Sequence, residues 1–159
     1  MTGERRPDPL PDIVGPRFLV ELVAPLFPDN SVRAVSPAEP IRYQWIRDGA
    51  FLEYQTSGRR PPRMMVLVLT DNELTLLDAH FRHFRVRLWR EFSHWASWPL
   101  GSIEAELADN SFLPKLTIRL RDSDKAFPFT VLLGRGFHAN REAADFVESA
   151  INAAAAMGS

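Results

Sequence analysis

The stretch SIEAELADNSFLPKLTIRLRDSDKAFPFTVLL, residues 102–133, decides the fold. Ile103, Ala105 and Leu107 alternate with Glu104 and Glu106, and Leu116, Ile118 and Leu120 alternate with Thr117, Arg119 and Arg121. Phe127, Phe129, Val131 and Leu133 then occupy every second position. Successive side chains of a strand point to opposite faces, so a period of two with apolar residues on one side marks an antiparallel sheet with one wet face. Asp109-Asn110 and Asp122-Ser123-Asp124 supply the turns, where short polar side chains hydrogen-bond their own backbone. Pro128 has no N–H to give to a ladder, so its strand lies at an edge or turns that position outward.

On the C-terminal side, Gly134-Arg135-Gly136 reads as a joint, and the period then changes to that of a helix. Ala143, Phe146, Val147, Ala150, Ile151 and Ala154 form one stripe, Asn140 is placed to cap it, and Glu142 and Asp145 fall near the positive end of its dipole. On the N-terminal side, MMVLVLTDNELTLLDA, residues 64–79, reads as a hairpin around Asp71-Asn72. Its first run is apolar on both faces and belongs in the middle of a sheet, whereas its second puts Leu74 and Leu76 on one face and Thr75 and Leu77 on the other. IRYQWIRDGAFLEYQTS, residues 41–57, reads as two strands around Asp48-Gly49.

Further upstream, DNSVRAVSPAEP, residues 29–40, reads as a turn-rich connection. It follows a short amphipathic helix at about 16–26, in which Phe18, Leu19, Leu22, Val23 and Leu26 keep helical spacing and Pro25 and Pro28 end the run. Residues 1–11 hold three prolines and read as a loose tail. The expected organisation is a tail at 1–11, a helix and connection at 12–40, and a domain over 41–156. Its expected class is mainly β (α+β), a strongly bent antiparallel sheet or small barrel of about seven strands capped by the C-terminal helix.

Four segments carry a family resemblance: VLVLTDNELTLLDA, WPLGSIEAELAD, KLTIRLRDSDKAFPFTV and ADFVESAI. Their order and patterning resemble the bacterial pleckstrin-homology-like domains over roughly the last two-thirds of the chain. Every matched position is a core or turn position, so the resemblance implies a scaffold and no functional residue. It implies a binding or interaction module.

The bulk composition narrows the function classes. At 159 residues, with 45% hydrophobic and 25% charged, the chain is long enough to bury one full core. The net charge of −1 gives no global attraction to nucleic acid or anionic lipid, so any such binding needs a local patch. No cysteine is present, which removes disulfides and thiolate chemistry and fits a reducing compartment. The first residues lack a secretory h-region, and a cytoplasmic location with no transmembrane segment is expected.

One stretch supplies a local patch. AHFRHFRVRLWREFSHWASW, residues 79–98, interleaves arginines with aromatic rings. Two readings compete: a strand through Phe84, Val86 and Leu88, or a helix with Phe81, Phe84, Leu88, Phe92 and Trp95 in a stripe. In both, the arginines separate from the rings. They are either a solvated face or, with Arg63 from the preceding loop, a cationic patch of Arg82, Arg85, Arg87 and Arg90 with Trp89 for stacking. His80, His83 and His94 without cysteine, and with arginines between them, do not make a metal site. No P-loop, G-x-S-x-G or paired-carboxylate motif occurs, so no catalytic residue and no cofactor is expected. The expected function is a non-catalytic protein-interaction module, self-association included, with Phe18, Leu22 and Leu26 of the N-terminal helix and the aromatic stretch as its contact surfaces; the other reading of these residues is that they pack on the domain's own outer wall. The alternative is a module that binds a lipid headgroup or nucleic acid through the arginines.

Overall fold

The computed structural model describes residues 13–28, 32–41, 64–79, 92–109, 113–123, 125–131 and 137–157. They form one antiparallel seven-stranded sheet: β1 (Val32–Pro40), β2 (Met65–Thr70), β3 (Glu73–Asp78), β4 (Ser93–Pro99), β5 (Ile103–Ala108), β6 (Lys115–Leu120) and β7 (Ala126–Val131). Helix α1 (Arg17–Val23) continues as a 3-10 turn over Ala24–Leu26, and α2 (Phe137–Met157) closes the described chain. The strand order is β4-β3-β2-β1-β7-β6-β5.

That order forces a strong bend. The two outermost strands, β4 and β5, are joined only by the 3-10 turn Leu100–Ser102. Four residue steps from Pro99 to Ile103 span at most ~14 Å. Six inter-strand spacings in a flat sheet would hold the edges ~29 Å apart. The sheet therefore curls until its edges approach at this corner, into which the bond from Arg121 N–H to Ser102 O, 3.0 Å, extends the β5–β6 ladder. No ladder joins β4 to β5 among the described residues, so the sheet is bent and not closed.

The curl produces two cores. The inner one gathers Leu67, Leu69, Leu74, Leu76, Ile103, Leu116, Ile118, Phe127 and Phe129 around Val147 and Ile151 of α2. Within it Trp98 and Phe127 lie with ring centroids 4.9 Å apart. The inner face of β1 carries only small side chains, the buried Ala34, Ser36 and Ala38, and α2 packs on this strand as well as on β5 and β7. The outer core is smaller. Leu19, Val20 and Val23 of α1 cover Val35, Val66, Val68 and Leu77. β2 is thus buried on both faces, as its unbroken apolar run predicts.

Helix α2 also protects an edge. The Ala105 N–H donates to Asn152 Oδ1 at 3.3 Å, and Asn152 Nδ2 donates back to Ala105 O at 3.0 Å. One turn earlier, Glu148 Oε2 accepts from the Leu107 N–H. Two side chains of one helix thereby fill places that another strand would take on β5. Arg141 adds a bidentate pair to Asp109 at 2.6 and 2.7 Å. The Asp109 carboxylate raises the Arg141 pKa further above its already high value.

Several expectations need correction. Residues 32–40 are not a connection but the middle strand of the sheet. Pro37 is tolerated there because β1 pairs β2 through Ala38 on one side, while β7 joins on the other side only from Ala38 onward. On that second side Val14 fills the gap before β7 begins. Its N–H donates to Arg33 O at 3.0 Å and its carbonyl accepts from Val35 N–H at 2.8 Å. N–H groups alternate sides along a strand, so the missing N–H of Pro37 falls between Val14 and β7. Strand β7 is internal, with Pro128 opposite Thr117 of β6; its nitrogen faces the end of β1, where Ile41 N–H donates to Pro128 O at 3.0 Å. The α2 helix starts at Phe137, so Asn140 is no cap; it lies inside the helix and is buried, and Glu142 and Asp145 fall beyond the first turn. Phe146 sits at the rim of the stripe, 39% exposed, and Ala144 takes the inner position. The expected hairpin over 42–57 lies outside the described residues.

Candidate functional site

The outer wall of β3 and β4 holds the candidate site. Leu74 opposite Trp98 and Leu76 opposite Ala96 point inward. Glu73 opposite Pro99, Thr75 opposite Ser97 and Leu77 opposite His94 point outward. His94 and Ser97 are three apart, and on a regular strand such positions fall on opposite faces. A bulge resolves this. The register shifts between Leu76 and Leu77, so that Trp95 is the extra residue and turns inward beside Ala96. His94 and Ser97 are then brought to one face, with Nε2 2.8 Å from Ser97 Oγ. Ser97 Oγ also lies 3.0 Å from the buried Thr75 Oγ1, making a cross-strand link of the kind that ties neighbouring strands.

These groups line an open pocket of about 390 Å3 whose other walls are Leu26, Phe27, Leu77, Phe92 and Glu73. The apolar walls come from the end of the 3-10 turn after α1 and from the residue that leads into β4. No hydrogen bond or ion pair engages the Glu73 carboxylate among the described residues. A second hollow, about 210 Å3, lies at the β5–β6 side and is lined by Glu104, Glu106, Thr117, Arg119, Arg121 and Asn152. Its charges alternate in sign, Arg121 pairs Glu104 at 3.9 Å, and Asn152 is engaged on β5. It is a solvated, internally compensated face.

The expected contact residues divide. Phe18 and Leu26 are 42% and 52% exposed, whereas Leu22 is partly buried against the outer core. Helix α1 therefore packs on the domain's own outer wall through Leu19, Val20 and Val23. Phe18 is exposed and stands outside that outer core, and Leu26 lines the pocket. The arginines expected to form a patch, Arg63, Arg82, Arg85, Arg87 and Arg90, lie outside the described residues together with Trp89, His80 and His83. In sequence, the stretch that carries most of them lies between Ala79 and Phe92, a pocket wall. The helical reading of that stretch fails at its end, because Ser93–Pro99 is strand β4.

Sequence reasoning missed Glu73, Thr75 and Ser97 as members of one site. Thr75 and Leu77 are legible as an outward pair, but the joining of His94 to Ser97 depends on a bulge that no residue pattern announces. No helix of the described residues is long and apolar enough to cross a membrane. No protein-family model matches the chain, and a search of the curated proteins finds no match.

Proposed function

We propose that the chain is a non-catalytic, cytoplasmic interaction module on a pleckstrin-homology-like scaffold, and that it docks another protein on the outer wall between α1 and β4. The bent seven-stranded sheet with a helix on its inner face supports the scaffold. The observation that carries the docking surface is the pairing of exposed apolar side chains with a pocket. Phe18 and Leu26 present large apolar groups to solvent, and Leu26 borders a cleft that Leu77, Phe27 and Phe92 also line. Apolar anchors beside a partly polar pocket are how specific interfaces concentrate their binding energy.

The test is a Phe18→Ser/Leu26→Ser double variant. Both side chains are about half exposed, so the variant keeps its far-ultraviolet spectrum and loses little stability. Tagged protein is used to capture partners from its native host, and its mass in solution is measured over a range of concentrations. Loss of a stoichiometric complex, or of a dimer, in the double variant but not in a Glu104→Gln/Glu106→Gln control supports the reading. A complex that survives the double variant refutes it.

A further inference from the structure

The chemistry of the pocket narrows what the docked segment must carry. Four walls, Leu26, Phe27, Leu77 and Phe92, are apolar and suit an aliphatic or aromatic side chain. Thr75, Ser97 and His94 bond to one another in a chain through Ser97 Oγ, so their hydroxyls are already engaged. Glu73 is different. Among the described residues it is the sole acidic one lining the pocket, no lysine or arginine lines the pocket with it and no cation engages its carboxylate, and it is half-buried. A carboxylate held beside apolar walls favours a cation and repels an anion, and a guanidinium meets it with charge-assisted hydrogen bonds.

We propose that this pocket recognises a protein segment in which an apolar side chain stands next to an arginine or lysine, the first entering between Leu77 and Phe92 and the second pairing with Glu73. This rests on the docking reading and adds to it the sign of the partner's charge. It also sets this site apart from an anion-binding surface, since phosphate or an acidic segment would face Glu73 unfavourably.

The probe is a set of end-blocked hexapeptides, Gly-Ser-Leu-Xaa-Ser-Gly, with arginine, citrulline or glutamate at Xaa. They are titrated into the full chain at pH 8 and low salt while the ring resonances of Phe92 and His94 are followed. The arginine peptide is expected to bind about tenfold more tightly than the glutamate peptide, with the neutral citrulline isostere between them, and the preference shrinks as salt is added. In Glu73→Gln the arginine and citrulline peptides become equal. Citrulline tests the same charge without altering the protein, so the comparison stands even where the variant folds poorly. Equal binding of arginine and glutamate peptides by the unaltered chain, a preference retained in a folded Glu73→Gln, or no response at Phe92 and His94 overturns the inference. If the Phe18→Ser/Leu26→Ser capture result holds while the charge preference is missing, only the partner's chemistry is wrong. If capture itself is insensitive to Phe18 and Leu26, the docking reading falls.

Discussion

Gly15→Ala is expected to be the most damaging single-methyl change in the described chain. Gly15 has φ of +147°, a region that side chains rarely adopt, and a Cβ built there lies 2.3 Å from Val35 O. The contact is with backbone in the middle strand, so no rotamer change relieves it. Adopting this backbone conformation with a side chain costs ~1–3 kcal/mol. Moving the segment away instead breaks the two hydrogen bonds that tie Val14 to Arg33 and Val35, at ~1 kcal/mol each, and leaves the Val35 N–H without its partner. It also loosens the approach to α1, which shields Val35, Val66 and Val68. Keeping the conformation leaves the 2.3 Å contact in place, so the segment must shift, and the lost hydrogen bonds with the orphaned N–H cost about 3–5 kcal/mol against a total stability of ~5–15 kcal/mol. For a chain of this size that corresponds to a fall in Tm of roughly 6–20 °C. Urea unfolding followed by tryptophan fluorescence, with Gly101→Ala as the control, measures it. Gly101 has nothing within 4 Å of a built Cβ, so its variant stays within ~0.5 kcal/mol. A Gly15→Ala midpoint within about 1 kcal/mol of the parent refutes the placement of Gly15 against β1.

Other substitutions test other joints. Asn152→Ala, alone or with Glu148→Ala, removes the side chains that occupy the β5 edge; a loss of ~1 kcal/mol by chemical denaturation and greater self-association by light scattering are expected. Ser36→Ala should be neutral or raise stability by up to ~1 kcal/mol in the same assay, because Ser36 Oγ is buried beneath α2 without a hydrogen-bond partner among the described residues. Arg141→Lys keeps the charge but not the two-pronged contact with Asp109, and should cost ~0.5–1 kcal/mol at low salt and less at 1 M sodium chloride.

Much of the architecture is legible in the residues. The alternation in β5, β6 and β7 places Ile103, Leu116, Ile118, Phe127 and Phe129 inward, and the structure puts each of them there. The hairpin at Asp71-Asn72 and the two-sided burial of β2 follow equally from local pattern. β1 does not, because Pro37 and Pro40 with Ser36 and Ala38 give it the composition of a loop. Only the staggered pairing of β2 and β7 on its two sides makes such a strand possible. The candidate site is less legible still. Glu73, His94 and Leu26 come from separate elements, and their meeting depends on the bulge at Trp95 and on how α1 lies across the wall.

The chain by itself settled which segments are strands with one apolar face and that a striped helix follows them, because side-chain periodicity and turn chemistry act between near neighbours. Tertiary structure alone decided which strand is central, how the edges are covered and which polar groups share a pocket. Those outcomes depend on pairings between residues far apart in sequence, where each strand's register and each proline's missing donor are judged against a neighbour that the local pattern does not contain.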